Sequence, residues 1–249
     1  MNLVHSLLPQ LTLGKYGVMG LLILIGAFLQ GVGGIGFAMF SAPIAGLFFP
    51  ELVPGPLLAL GAAVAALSAW RERTFIQWRT VGTALSGRFV GTLAAAYVIA
   101  LCSPRLLSVA FACLILLGVL LSVAGRKFPA NTGNVAMAGV ASGLMGSITS
   151  SGAPPFALVA QEMSPPQMRS SFGCVFGIGG LVSLVMLAAV GAFGHKELLL
   201  AVLLAPFMVA GFMASSRITH LANPRGTRIF LLTLASLGAV GILIKLALI

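Results

Sequence analysis

The sequence predicts an all-α polytopic membrane protein made of two inverted repeats, each a broken, re-entrant helical hairpin followed by three transmembrane helices. Three observations carry this reading. Of 249 residues, 59% are hydrophobic and only 7% charged, whereas roughly a quarter of the residues of a soluble domain carry charge. Pro43, Glu51 and Pro54 return 111 residues later as Pro154, Glu162 and Pro165. The basic residues fall unevenly between the two sides that the elements define.

Six apolar runs are long enough to cross a hydrocarbon core of about 30 Å as helices: residues 53–70, 81–101, 106–123, 172–193, 198–215 and 229–248. Two further apolar stretches are interrupted. Residues 17–49 would make a straight helix of about 50 Å, too long for one ordinary crossing, and Gln30-Gly31-Val32-Gly33-Gly34-Ile35-Gly36 lies at its centre. The predicted outcome is two half-helices of little more than a dozen residues that dip in and return. Residues 134–161 have the same form around Gly146-Ser147-Ile148-Thr149-Ser150-Ser151-Gly152.

If both broken segments return to their starting side, one face receives Arg71, Arg73, Arg79, Arg126, Lys127, Arg169, Arg217, Arg225 and Arg228. The other receives Lys15, Arg105, Lys196 and Lys245. A single crossing by each segment makes the split more even, eight against five instead of nine against four, so the positive-inside rule favours hairpins and places both termini outside the cytoplasm. A hairpin plus three crossings is an odd number, so the halves have opposite orientations and the tips meet near the midplane. The expected units are 1–125 and 134–249, joined by a cytoplasmic linker at 126–133. Pro104-Arg105 with Gly118 and Pro224-Arg225 with Gly238 support the register. Residues 1–15 show no cleavable leader pattern and are expected to lie along the interface.

The composition also excludes. Lys and Arg total 14 against 4 acids, yet they stand singly or in threes at the ends of apolar runs, with no basic face for nucleic acid. Cys102, Cys113 and Cys174 lie in or beside apolar segments without metal-ligand spacing. His5, His195 and His220 are at segment edges, so no metal site or other cofactor is expected. No nucleophile or metal constellation supports an enzyme.

A non-helical break at membrane depth survives only when buried in protein or lining a watery cavity. The helices that restart after the breaks present unpaired N–H groups and the positive end of the macrodipole, so two converging starts make an anion site. The candidate substrate-binding residues are Gln30, Gly33, Gly34, Gly36 and Phe37 on the first tip, and Thr149, Ser150, Ser151 and Gly152 on the second. Arg88 joins them, because an Arg at a helix centre costs about 3 kcal/mol or more and no acid lies at mid-depth to compensate it. The competing readings are structural: glycines for close packing, hydroxyls as caps, Arg88 on backbone carbonyls. Gly87 and Gly91, and Gly173 and Gly177, are packing signals. Glu51 and Glu162, repeated at the hairpin exits, are candidates for gating or proton coupling, or simply carboxylates at helix starts.

Gly31-Val-Gly-Gly-Ile-Gly36 followed by Pro43, Gly139-x3-Gly143-x2-Gly146, and Gly152-Ala153-Pro154-Pro155 resemble the TauE/SafE family of sulfite exporters, also grouped as toluene-sulfonate uptake permeases. The likeness covers nearly the whole chain. It implies an inner-membrane secondary carrier of sulfite, sulfonates or related sulfur oxyanions, with a small anion, the bilayer and coupling protons as partners. A homo-oligomer is compatible with it. The family often has further glycines where this chain has Thr149, Ser150 and Ser151, a more polar tip. The rival expectation is an anion or small-solute channel of aquaporin-like layout, although neither break contains Asn-Pro-Ala.

Overall fold

The fold comes from a computed structural model that describes residues 13–123, 128–160, 163–217 and 224–248, with side chains in the last stretch described from Leu231 onward. The expectations for residues 1–12, Arg126, Lys127, Glu162 and His220 fall outside the described residues. Those residues form α1 (Leu13–Gly33), α2 (Phe37–Phe48), α3 (Gly55–Arg71), α4 (Trp78–Leu101), α5 (Pro104–Val123), α6 (Thr132–Thr149), α7 (Pro154–Val159), α8 (Pro165–Ala189), α9 (His195–Ser215) and α10 (Pro224–Ala247), with short 3-10 turns at Pro50–Leu52 and Arg73–Phe75. α1, α4, α5, α8 and α9 are each long and apolar enough to cross a membrane. The protein is a multi-pass, all-helical membrane protein.

Local chemistry sets the helix starts. Asn131 caps α6 by accepting from the Asn134 N–H at 2.8 Å. α8 starts at Pro165, seven residues before the apolar run does. Its first turn carries Pro at the positions that need no N–H, and Ser164 and Gln167 form a capping box, which satisfies donors that hydropathy cannot register. The polar residues Gln167, Arg169, Ser170 and Ser171 hid this turn.

Both predicted breaks occur, at unequal depth. α1 has 21 residues and α2 has 12; α6 has 18 and α7 has 6. The equal half-helices expected from the sequence give way to one long and one short arm. The glycines before the first break do not interrupt α1, because in an apolar setting the helical hydrogen bonds have no competitor. The chain turns only where positive φ is adopted, at Gly34 (φ 76°) and Gly36 (φ 151°), and at Ser150 (φ 61°) in the second half.

The short arms run back along the long ones. Lys15 at the start of α1 is ion-paired with Glu51 beyond the end of α2, and a Cβ on Gly26 of α1 would strike Ser41 and Phe37 of α2. In the second half, the Phe128 N–H donates to Leu158 O at 3.2 Å, joining the approach to α6 with the end of α7.

The principal pairings are α1 with α9 and α4 with α6, α2 with α10 and α5 with α7, α3 with α9 and α4 with α8, α3 with α8, and α5 with α10. Exchanging α1–α5 for α6–α10 maps each pairing onto another or onto itself. α4 and α6 approach by reciprocal glycines: a Cβ on Gly87 or Gly91 would meet the backbone of Ala136 or Val140, and one on Gly139 or Gly143 the backbone of Ala84 or Arg88. Such small-residue contacts let backbones pack directly.

Side chains gather at two ends. At one, Lys245 Nζ donates to Leu47 O and Arg105 to Leu246 O, each at 3.3 Å, near the Lys15–Glu51 pair. At the other stand Arg71, Glu72, Arg169, Ser215 and Ser216. These are the lysine end and the arginine end below.

Candidate functional site

Between the two breaks lies a cavity of about 40 Å³ whose lining includes Gln30, Phe37, Ala38, Arg88, Ser150, Ser151, Gly152 and Phe176. α3 supplies the floor through Leu58, Gly61, Ala62 and Ala65, residues from the middle of that helix. No carboxylate is among the described lining residues.

Arg88 is 3% exposed. It stands midway along α4, where the Gly143 contact brings α6 against its backbone. Nη1 donates to Ser142 Oγ at 2.7 Å, while Nε is buried against Gly179 and has no hydrogen-bond partner among the described residues. The guanidinium carbon lies 5.5 Å from the centroid of the Phe176 ring, which Phe156 holds edge-on at 5.7 Å. Glycines enclose the head: a Cβ on Gly179 would collide with Nε and Cδ, one on Gly152 would lie 2.9 Å from Nη1, and one on Gly146 would lie 3.1 Å from Nη2. An unpaired donor on a buried cation is costly. The glycines make room for the guanidinium itself, and among the described residues no carboxylate stands beside it.

The first tip is stapled by Gln30, which is 5% exposed. Its Nε2 donates to Gly34 O at 2.8 Å, and its Oε1 accepts from the Phe37 N–H at 3.2 Å. The side chain thus closes the loop and consumes the first free N–H of α2. The next residues, Ala38 and Met39, line the cavity with N–H groups that have no place in the helix ladder. Gly33, Gly34 and Gly36 shape the turn and do not line the cavity. Gly36 O accepts from Phe40 N–H at 2.9 Å, and Gly34 packs against Arg169.

The second tip differs from the expectation of a second electropositive helix start. α7 opens with Pro154 and Pro155, which carry no N–H, and the Phe156 N–H donates to Ala153 O at 3.1 Å. Little of a helix-end anion site is left there, so the positive charge of the cavity rests on Arg88 and the start of α2. Thr149 is a cap: Oγ1 donates to Met145 O at 2.7 Å and accepts from the Ser151 N–H at 3.1 Å. Ser150 reaches across to donate to Pro54 O at 2.9 Å. Below Arg88, Thr92, Ser147 and Ser183 form a buried hydroxyl cluster, with Ser147 Oγ donating to Ser183 Oγ at 2.9 Å and Thr92 Oγ1 3.3 Å from Ser183 Oγ.

The structure therefore brings Gln30, Phe37, Arg88, Ser150, Ser151 and Gly152 to one cavity and uses Gly33, Gly34, Gly36 and Thr149 to shape its walls. Glu51 is tied to Lys15 at the lysine end, outside the cavity lining. Ser142, Phe176 and Gly179 were not singled out from the sequence. Ser142 sits inside the Gly139-x3-Gly143 pattern, the one signal that marked its neighbourhood. Among the described residues no cluster of His, Cys, Asp or Glu is able to hold a metal.

A family model described as sulfite exporter TauE/SafE matches residues 18–242. No curated protein and no solved structure matches the chain.

Proposed function

Since the chain belongs to the TauE/SafE sulfite exporter family, we propose that it is a secondary carrier that binds one small sulfur oxyanion, such as sulfite, in the cavity between its two breaks. The observation that carries this reading is Arg88: a buried guanidinium lining a cavity whose described walls hold no acid. At 4 Å and an effective dielectric of about 20, an anion gains roughly 4 kcal/mol from such a charge. Ser151, Gly152 and the N–H groups of Ala38 and Met39 add donors around it.

Size supports a compact solute. One water needs about 10–15 Å³ of such space, so a cavity of about 40 Å³ takes three or four small groups, the scale of an inorganic oxyanion. That scale favours a carrier with a single bound solute over a channel.

We read the two five-helix units, α1–α5 and α6–α10, as inverted repeats that rock against each other in the inner membrane, on the strength of the two-fold pairing of helices. The hairpins are read as re-entrant, and Glu51 and Glu162 as the carboxylates that exchange coupling protons. Proteoliposomes loaded with sulfite and assayed by counterflow of labelled sulfite test the proposal. The parent protein exchanges the label with saturation, and Arg88→Ala abolishes exchange while remaining monodisperse. Full exchange by Arg88→Ala overturns the assignment, and linear, unsaturated flux by the parent overturns the carrier.

A further inference from the structure

The two tips do not end at the cavity. Each reaches past it towards one end of the helix bundle, and the two ends are held by different chemistry.

At the arginine end the first tip is clamped by charge. Arg71, at the end of α3, donates to Gly31 O and approaches Ser216 Oγ at 3.3 Å, with its guanidinium 4.8 Å from the Phe212 ring centroid. The next residue, Glu72, takes Arg169 of α8 in a forked pair: Nε lies 2.9 Å from both carboxylate oxygens and Nη2 2.6 Å from Oε1. Their side chains are only 14% and 16% exposed. Gly34 lies so close to Arg169 that a Cβ would strike its Cγ, with its backbone Cα 3.1 Å away. α1, α3, α8 and α9 are thereby locked around the tip that Gln30 staples over the cavity.

Among the described residues the lysine end has no buried fork of this kind: its Lys15–Glu51 pair is 36% and 37% exposed. A cavity of about 260 Å³ lies there, lined by Pro50, Pro54, Pro104 and Ile148 among others, and one of about 520 Å³ follows α3 and α8 towards Trp70 and Arg73 at the other end. Pro54 and Ile148 adjoin Ser150, which lines the central cavity, so the Ser150–Pro54 hydrogen bond of 2.9 Å stands between the lysine-end cavity and the central one.

We propose that the Glu72–Arg169 pair, with Arg71 on Gly31, is the gate of the arginine end, and that in this structure the gate is shut. Opening requires Glu72 to release Arg169, which frees Gly34 and lets the first tip withdraw from the cavity. An anion arriving at that end competes with the Glu72 carboxylate for the same guanidinium, so the clamp yields to the solute it admits. This inference rests on the central cavity being the anion site.

Side-selective thiol labelling tests it. In a full-length background with Cys102, Cys113 and Cys174 replaced by Ser, Ala65→Cys places one thiol on the cavity floor. A charged, membrane-impermeant methanethiosulfonate is applied to either face of oriented proteoliposomes. Glu72→Gln labels at least about tenfold faster from the arginine end than the parent, the scale set by losing one charge-assisted pair. The charge swap Glu72→Arg with Arg169→Glu returns the rate to that of the parent. Arg169→Lys, which keeps the charge but loses the fork, is the second variant and also labels faster. Equal rates for parent, Glu72→Gln and Arg169→Lys from that face overturn the gate. Sulfite added during labelling separates the two claims: a rate that responds to Glu72→Gln but not to sulfite sustains the gate and removes the anion from the cavity.

Discussion

Arg88 and Ser142 are joined at 2.7 Å across the glycine-lined contact of α4 and α6, and that single hydrogen bond aims the guanidinium so that Nε is left without a partner among the described residues. The serine fixes one side of the fork, and Gly179 clears the other. The position of the charge is thus decided by neighbours 54 residues and more away in the chain.

Arg88→Lys tests whether the fork matters beyond its charge. A lysine keeps the cation but is a point donor that cannot bond Ser142 and an anion in the same plane. Sulfite affinity, read by thermal shift in detergent, is expected to fall about tenfold or more, equal to the loss of one hydrogen bond to a charged group. Unaltered affinity sinks the role of the fork.

Gly179→Ala places a methyl group where Arg88 Nε and Cδ now lie, and the guanidinium has to swing out of its plane. Sulfite binding should be lost with the fold intact. Gly177→Ala, one half-turn earlier on the same helix, meets Ala66 Cβ at 3.4 Å, an ordinary contact, and should bind as the parent does. The pair of titrations checks that the cleared space, and not helix packing in general, is what binding needs.

Gln30→Ala removes a side chain that satisfies Gly34 O and Phe37 N–H together. Each buried backbone group left unpaired costs about 1–3 kcal/mol, so the melting temperature in detergent drops. Gln30→Glu retains an acceptor for Phe37 N–H but repels Gly34 O and places an acid on the cavity wall. It should destabilise as well, and additionally abolish sulfite binding by repulsion. Equal binding by the two variants contradicts the assignment of Gln30 to the wall.

Thr149→Val separates capping from recognition. Its hydroxyl is spent on Met145 O and Ser151 N–H, so the isosteric change lowers stability by about 1 kcal/mol and leaves sulfite affinity within about twofold of the parent's. A strong loss of affinity shows instead that Thr149 touches the anion. Melting curves with and without sulfite give both numbers.

Several features were open to reading along the chain. A charged residue fraction of 7% can live only in a bilayer. Gly34 and Gly36 mark a turn that side-chain-bearing residues rarely make, and Arg88, alone in its apolar run, has a cost that calls for a partner. The breaks and the buried cation were legible because each is a local violation of what a lipid-crossing helix tolerates.

Which groups answer those violations was decided by packing alone. Nothing in the order of residues tells that the Thr149 hydroxyl turns back to its own helix while Ser142 turns to Arg88, since a hydroxyl on a helix bonds its preceding turn or a neighbour with similar ease. The arm lengths, 21 and 12 residues in one half against 18 and 6 in the other, follow from where the backbone finds room to turn between other helices. Glu72, a segment-end acid in the sequence, becomes the partner of Arg169 only because α3 and α8 lie side by side. The chain by itself determined the solvent, the breaks and the charge. The tertiary structure decided which donors face the cavity and which lock its tips, because those bonds join surfaces that meet only when α4 docks on α6 and α3 on α8.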